Sequence, residues 1–239
     1  MFRLSRSDRT AASPAVGLSV FSDPDRFAPL HTVATELIEH LTSVYDVRRE
    51  DGFAVTAELL NAPTAAETVR AVRLTPNDDA CAPMVIVLTD FPGVRIYAGA
   101  LFDEFYPSCG CDACAETWEG CADELRWQTL AIAEGGLAEN VSEPRRARWS
   151  FSLSRGIEKG MGQTVSWQLR AADGSAESSQ QSRAEDVPDD LLARARTRLD
   201  VLGAASPNGR WMPWTKRDRR AQACDHQSSL PMSEGTSTL

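Results

Sequence analysis

The chain has 239 residues, a formal net charge of -9 and a hydrophobic fraction of 42%. This length suffices for one large domain whose core needs neither disulfides nor a metal to fold. Because an acidic chain repels phosphate backbones and anionic lipid surfaces, we expect neither nucleic acid nor a membrane as a partner. We find no export signal and no apolar run of the roughly 18 residues that a membrane span needs. We therefore expect a cytoplasmic protein whose six cysteines are thiols or metal ligands rather than disulfides.

The first half of the chain predicts one helix followed by strands. Apolar residues at helical spacing predict a helix over residues 27–45. The segment 46–62 is ambiguous, and its polar residues 48–51 are expected to be exposed. Residues 53–60 favour a short helix. Three strands are predicted after it, at 69–74, Met84–Thr89 and Val94–Ala98. The Pro92-Gly93 turn signal joins the last two into a hairpin.

The second half begins with an acidic loop that carries the cysteine cluster, residues 100–114. A helix is predicted over 115–134, ended by Gly135-Gly136. Alternating apolar residues at 149–153 and 165–169 predict a second hairpin. Residues 171–186, rich in Ser, Gln, Asp and Gly, are typical of a mobile loop, and a last helix is predicted over 188–202, capped by Gly203.

These elements predict the domain organisation. We expect a disordered leader at 1–22, a single α+β domain at 23–214 and a disordered tail at 215–239, because both ends lack apolar periodicity. The hairpins predict an antiparallel sheet of about five or more strands, with helices mainly on one face.

Four segments together resemble a family of uncharacterised actinobacterial proteins. They are residues 70–76, Thr89-Asp90-Phe91-Pro92-Gly93, residues 105–114 with the core Cys109-Gly110-Cys111-Asp112-Ala113-Cys114, and Arg210-Trp211-Met212-Pro213-Trp214. The similarity covers roughly residues 29–217, and the cysteine motif is its most specific part. The resemblance implies a small bacterial cytosolic protein and carries no assigned activity, cofactor or catalytic residue.

The strongest candidate site is the cluster Cys109, Cys111 and Cys114. A Cys-x2-Cys pair can turn two thiolates toward one zinc ion, and Gly110 eases the tight step between the first two cysteines. Cys121 is the first choice for a fourth ligand. The other choices are Asp112, a distant Cys81 or a histidine. Packed thiols and a redox pair are the competing interpretations, and convergence of the three sulfurs within about 6 Å is the geometric test of the metal site.

Two functions are compatible with this pattern. A non-enzymatic accessory or binding protein is favoured because the sequence has no recognisable catalytic constellation. The alternative is a small metal- or thiol-dependent enzyme built on the cluster, with an acidic neighbour such as Asp112 or Glu116 as the proton carrier.

Overall fold

The computed structural model describes residues 22–59, 62–142, 163–205 and 209–218. Its main sheet is fully antiparallel, with five strands in the order β1-β2-β3-β4-β5. The strands are β1 (Val47–Asp51), β2 (Thr68–Pro76), β3 (Met84–Thr89), β4 (Val94–Ala98) and β5 (Phe102–Tyr106). The predicted α+β class and the β3–β4 hairpin are confirmed.

Two helices, α1 (Pro29–Val44) and α2 (Trp118–Ala133), pack on one face of this sheet. Alternate residues of β3, such as Ile86, join the main core beneath these helices. The residues between them, such as Val87, join a smaller cluster on the opposite face with Val55 of a short 3-10 helix, Phe53–Thr56. Both faces of β3 are therefore buried, which explains its unbroken apolar sequence.

Neither outer strand of the main sheet was predicted from the sequence. Residues 47–51, part of the segment that the sequence left ambiguous, form β1, and part of the expected acidic loop forms β5. Each lies at an edge of the sheet, where polar side chains remain in solvent. Arg49 of β1, for example, pairs with Asp51 and with Glu39 of α1.

A second antiparallel sheet contains β6 (Leu137–Val141), β7 (Thr164–Arg170) and β8 (Glu177–Arg183) in that order. The expectation of a mobile loop at 171–186 is wrong, because residues 177–183 form β8, a polar and exposed edge strand, and residues 184–186 form a turn of 3-10 helix. The hairpin partner expected for β7 is also wrong, since β6 and β8 occupy its two sides. Residues 149–153 lie outside the described residues. The last helix, α3, runs over Asp189–Ala205, so Gly203 does not end it.

The C-terminal segment ties the two sheets together. It makes isolated bridges from Arg210 to Ala138, from Met212 to Cys81 and from Lys216 to Tyr45. Two of its side chains, Trp211 and Trp214, are buried in the main core.

Backbone hydrogen bonds continue past residue 214, where we expected the domain to end. Thr215 accepts from Asp46, and Arg217 donates to Val44. Residues 1–21 and 219–239 lie outside the described residues, so the leader, the tail and the single domain stay predictions. Within the described ranges, no helix combines the length and the apolar content that a membrane crossing requires.

Candidate metal centre

The cysteine cluster lies in the loop that connects β5 to α2. Two residues of this loop have left-handed backbone conformations, Gly110 with φ of 72° and Ala115 with φ of 52°. Between them, Asp112–Cys114 form one turn of 3-10 helix. A Cβ atom on Gly110 would lie 2.9 Å from Cζ of Phe91, so the loop backbone approaches the β3–β4 turn closely. Glycine is therefore needed here both for its conformation and for the space.

The loop brings three sulfur atoms together. Sγ of Cys111 lies 3.2 Å from Sγ of Cys109 and 3.3 Å from Sγ of Cys114. The three sulfurs all lie within 4.8 Å of one another. These separations are below the limit of about 6 Å that a metal site requires of the three sulfurs. Sulfurs around a tetrahedral zinc ion are separated by about 3.8 Å, because Zn–S bonds are about 2.3 Å long.

A single carboxylate, that of Glu116, holds the first half of the loop. Oε1 accepts hydrogen bonds from the backbone N–H and the hydroxyl of Ser108, at 3.0 and 2.7 Å. Oε2 accepts from the backbone N–H groups of Cys109 and Gly110, both at 2.9 Å. Burial opposes the ionisation of Glu116, but these hydrogen bonds outweigh it and hold its pKa below the usual range. The charged carboxylate therefore fixes the backbone that presents the cysteines.

A second carboxylate, that of Asp112, connects the loop to Ser22 and Arg26, which precede α1. It accepts a hydrogen bond from Nη1 of Arg26 at 2.9 Å and further hydrogen bonds from Ser22. Nη2 of Arg26 also donates to the carbonyl of Gly110 at 2.8 Å. Hydrogen bonds from Ser22 and Arg26 lower the pKa of Asp112, so this side chain is an anchor for the loop.

The three thiols differ in acidity because they hydrogen bond to one another. Hydrogen bonds from Cys109 and Cys114 stabilise the thiolate of Cys111 and lower its pKa. Hydrogen bonds to Cys109 and Cys111 keep the proton on Cys114 and raise its pKa to about 12. Cys111 is buried, whereas Cys109 and Cys114 are exposed. The buried thiol of Cys111 thus ionises more readily than that of Cys114, and metal ligation requires the thiolate form.

The other two described cysteines lie outside this group. Cys121 is buried within α2, and burial together with Glu116 raises its pKa to about 11. Cys81 is also buried, and its thiol donates to the carbonyl of Pro213 at 3.3 Å. The three-sulfur group is the one that the described residues assemble for a metal, and Cys121 is not a member of it.

This arrangement fits a soft metal ion held by three thiolates. The three sulfurs converge as zinc ligands must, although two of their separations, 3.2 and 3.3 Å, are shorter than the spacing around a bound zinc ion. Both carboxylates near the sulfurs are already engaged by hydrogen bonds. Because two of the three cysteines are exposed, a fourth coordination position would face solvent. Closed structural zinc sites have four protein ligands, whereas sites with three keep a position for water or another ligand.

Sequence reasoning found the three cysteines but missed the residues that hold them. Glu116 was considered only as a proton carrier, and the Arg26–Asp112 pair joins positions 86 residues apart. It also missed Glu139, a buried carboxylate of β6 between the two sheets. Such long-range pairings leave no local pattern in the sequence.

Comparisons with curated proteins and with solved structures return no match to this chain. The actinobacterial origin and a family-wide cysteine motif, both implied by the resemblance, are not tested by these comparisons and stay predictions. One family model matches residues 6–218, which is most of the chain. The chain therefore belongs to a family of unknown function, DUF6226.

Proposed function

We propose that this protein is a cytosolic zinc-binding accessory protein, in which Cys109, Cys111 and Cys114 ligate the ion. The observation that carries the proposal is the convergence of three sulfurs within 4.8 Å on a loop whose backbone is held by Glu116. A reducing compartment would keep these thiols available for metal. The negative charge of Asp112 and Glu116 beside the loop adds a favourable field for a cation.

A binding role is supported better than a catalytic one. Asp112 and Glu116, the proton carriers considered from the sequence, are both held ionised by hydrogen bonds that fix the loop. Neither is therefore poised to exchange a proton near neutral pH. In this proposal zinc orders the loop and offers its open position to a water molecule or to a ligand from a partner protein.

Metal analysis of the purified protein tests the proposal. We expect one zinc per chain, and cobalt substitution should give the charge-transfer absorption of a thiolate site. Cys111→Ser should abolish binding, because it removes the central sulfur. Cys121→Ser is the matched control, since Cys121 lies outside the three-sulfur group. Absence of zinc and of cobalt binding in the reduced protein would refute the proposal.

The variant series also tests the ligand set expected from the sequence. Retained zinc in Cys121→Ser would support three cysteine ligands. Loss of zinc in that variant, with the helical circular dichroism unchanged, would instead place Cys121 as the fourth ligand.

The alternative is a thiol-dependent enzyme, and one observation favours it. Cys111 has a lowered pKa and lies 3.3 Å from the sulfur of Cys114, as a redox pair requires. Thiol titration separates the two functions. A zinc site predicts that the cluster thiols become reactive only after chelation, whereas a redox pair predicts a reversible Cys111–Cys114 disulfide in metal-free protein.

A further inference from the structure

A cavity of about 250 Å³ lies on the face of the main sheet opposite α1 and α2. Strands β1 to β5 form its floor and α3 forms one wall. The segment after the 3-10 helix Phe53–Thr56 closes another side through Glu58 and Leu59. The cavity therefore lies where the sheet, a helix and a loop meet, an arrangement common for small-ligand sites.

The apolar part of the cavity lining comes from the sheet and from α3. Val85 and Tyr97 contribute from the centre of the sheet, and both are buried. Leu101 and Phe102 contribute at the start of β5, and Ala195 at the wall made by α3. Such a surface favours the apolar body of a ligand and gains by excluding water.

Four arginines also line the cavity. Arg48 comes from β1, Arg73 from β2, and Arg194 and Arg198 from α3. Glu58 supplies the one carboxylate among the residues that line the cavity. The chain as a whole has a net charge of -9, so the overall composition does not explain this local excess of positive charge. It identifies an anion as the complementary ligand.

The arginines are only partly engaged within the protein. Arg48 and Arg194 form exposed ion pairs with Glu50 and Asp190, at 3.8 and 3.2 Å, and such pairs contribute little. Nη2 of Arg73 donates to the carbonyl of Val55 at 2.8 Å.

Arg198 is the least engaged of the four. Its guanidinium lies 5.9 Å from the ring centre of Trp211, and it has no ion pair among the described residues. Burial lowers the pKa of Arg198 because it removes water from the charged guanidinium, and the negative charge of Glu139 opposes this shift. Thr75 also lines the cavity, and its buried hydroxyl oxygen has no hydrogen-bond partner among the described residues. The guanidinium of Arg198 thus leaves hydrogen-bond donors available to a ligand.

We propose that this cavity binds a small amphipathic anion, with its phosphate or carboxylate group at Arg73 and Arg198 and its apolar body over Val85 and Leu191. Guanidinium groups match both anions with paired hydrogen bonds, so the two head groups share one recognition chemistry. The volume is below the usual range for drug-sized ligands, which restricts the apolar body to about one ring or a short chain. This proposal is independent of the metal centre.

Calorimetric titration of the full chain with phenyl phosphate and with 3-phenylpropionate tests the proposal. Inorganic phosphate and phenol serve as probes that carry only the charge or only the ring. We expect at least one amphipathic probe to bind at least about tenfold more tightly than inorganic phosphate or phenol, and more weakly as salt increases. Arg198→Gln should weaken that binding by about tenfold or more, because it removes a charged hydrogen-bond donor.

The matched control is Arg126→Gln, on the exposed part of α2, where Arg126 pairs only with Asp123. Arg198 makes no hydrogen bond that supports the fold in the described residues, so its variant is expected to fold as the parent does. Equal binding by the Arg198 and Arg126 variants would overturn the proposal. So would binding of inorganic phosphate as tightly as of the better amphipathic probe, or binding of neither amphipathic probe at millimolar concentration.

Discussion

Glu139 offers the sharpest test of how the two sheets are joined. This residue of β6 is 3% exposed, and its carboxylate accepts four hydrogen bonds. Three come from the backbone N–H groups of Ala100, Leu101 and Phe102, between β4 and β5, at 2.8, 2.6 and 2.8 Å. The fourth comes from Nε1 of Trp211 at 2.7 Å. One side chain thus connects the second sheet, the first sheet and the C-terminal segment.

The substitution Glu139→Gln keeps the size of this side chain and changes only its hydrogen bonding. Each carboxylate oxygen accepts two of the four hydrogen bonds. An amide oxygen can still accept two, but the amide N–H groups would face the other two donors. Each buried donor without an acceptor costs about 1–3 kcal/mol, so the loss for two is about 2–6 kcal/mol in the free energy of unfolding. A typical domain has only about 5–15 kcal/mol in total.

Urea unfolding at pH 7.5, followed by tryptophan fluorescence and by circular dichroism, measures this loss. Glu134→Gln is the matched control, because Glu134 is exposed at the end of α2. It should change the free energy of unfolding by less than about 0.5 kcal/mol. A loss for Glu139→Gln as small as that of the control would refute the role assigned to the four hydrogen bonds.

Three further predictions concern single positions. Burial, Asp103 and Glu124 raise the pKa of Glu104 from 4.5 to about 7, so the folded state binds the extra proton and its stability falls as pH rises between these values. Glu104→Gln should therefore stabilise the protein above pH 7, on the order of 1–2 kcal/mol by urea unfolding, and an equal effect at pH 4 would contradict this. Gly135→Ala should cost more than Gly174→Ala in the same assay: both residues have φ near 75°, but a Cβ at 135 would lie 2.7 Å from N of Pro213, whereas that at 174 meets nothing. Finally, in protein freed of metal by a chelator, iodoacetamide at pH 8 should label exposed Cys109 before buried Cys81 and Cys121, whose pKa values are both about 11. Peptide mass spectrometry would show the order, and the reverse order would contradict the assigned burial.

The central strands could be predicted from the sequence because a buried strand is locally rich in apolar residues. Met84–Thr89 is an unbroken apolar run and Val94–Ala98 follows a Pro-Gly turn, and both strands begin and end where the sequence predicts. The trio Cys109, Cys111 and Cys114 was predictable for the same reason, since three ligands within six positions need only a tight loop to converge.

The edge strands were not predictable, because pairing on one side alone does not require apolar residues. β8 has the sequence ESSQQSR, which is indistinguishable from a polar loop until its pairing with β7 is known. The same holds for β1, a charged segment that forms an edge strand by pairing with β2. Local composition describes burial better than it describes backbone pairing.

The arginine cavity and the Glu139 hydrogen bonds depend on contacts between distant parts of the chain. Arg73 and Arg198 are separated by most of the domain, and each alone has the appearance of an ordinary surface cation. Only the packing of α3 against the second face of the main sheet makes them neighbours. No spacing rule applied to a single sequence could have grouped them.

The two candidate sites lie on different sides of the main sheet, which makes their tests separable. The cysteine loop contacts Phe91 and Arg26, next to the helices, whereas the cavity is built on the opposite face around Val85. The residues that hold the cysteine loop and those that line the cavity do not overlap, and substitutions at separate sites without shared partners usually act independently. Loss of zinc in Cys111→Ser with unchanged binding of an amphipathic anion would therefore report the metal centre alone. Loss of both would instead indicate that the loop substitution had disturbed the sheet itself.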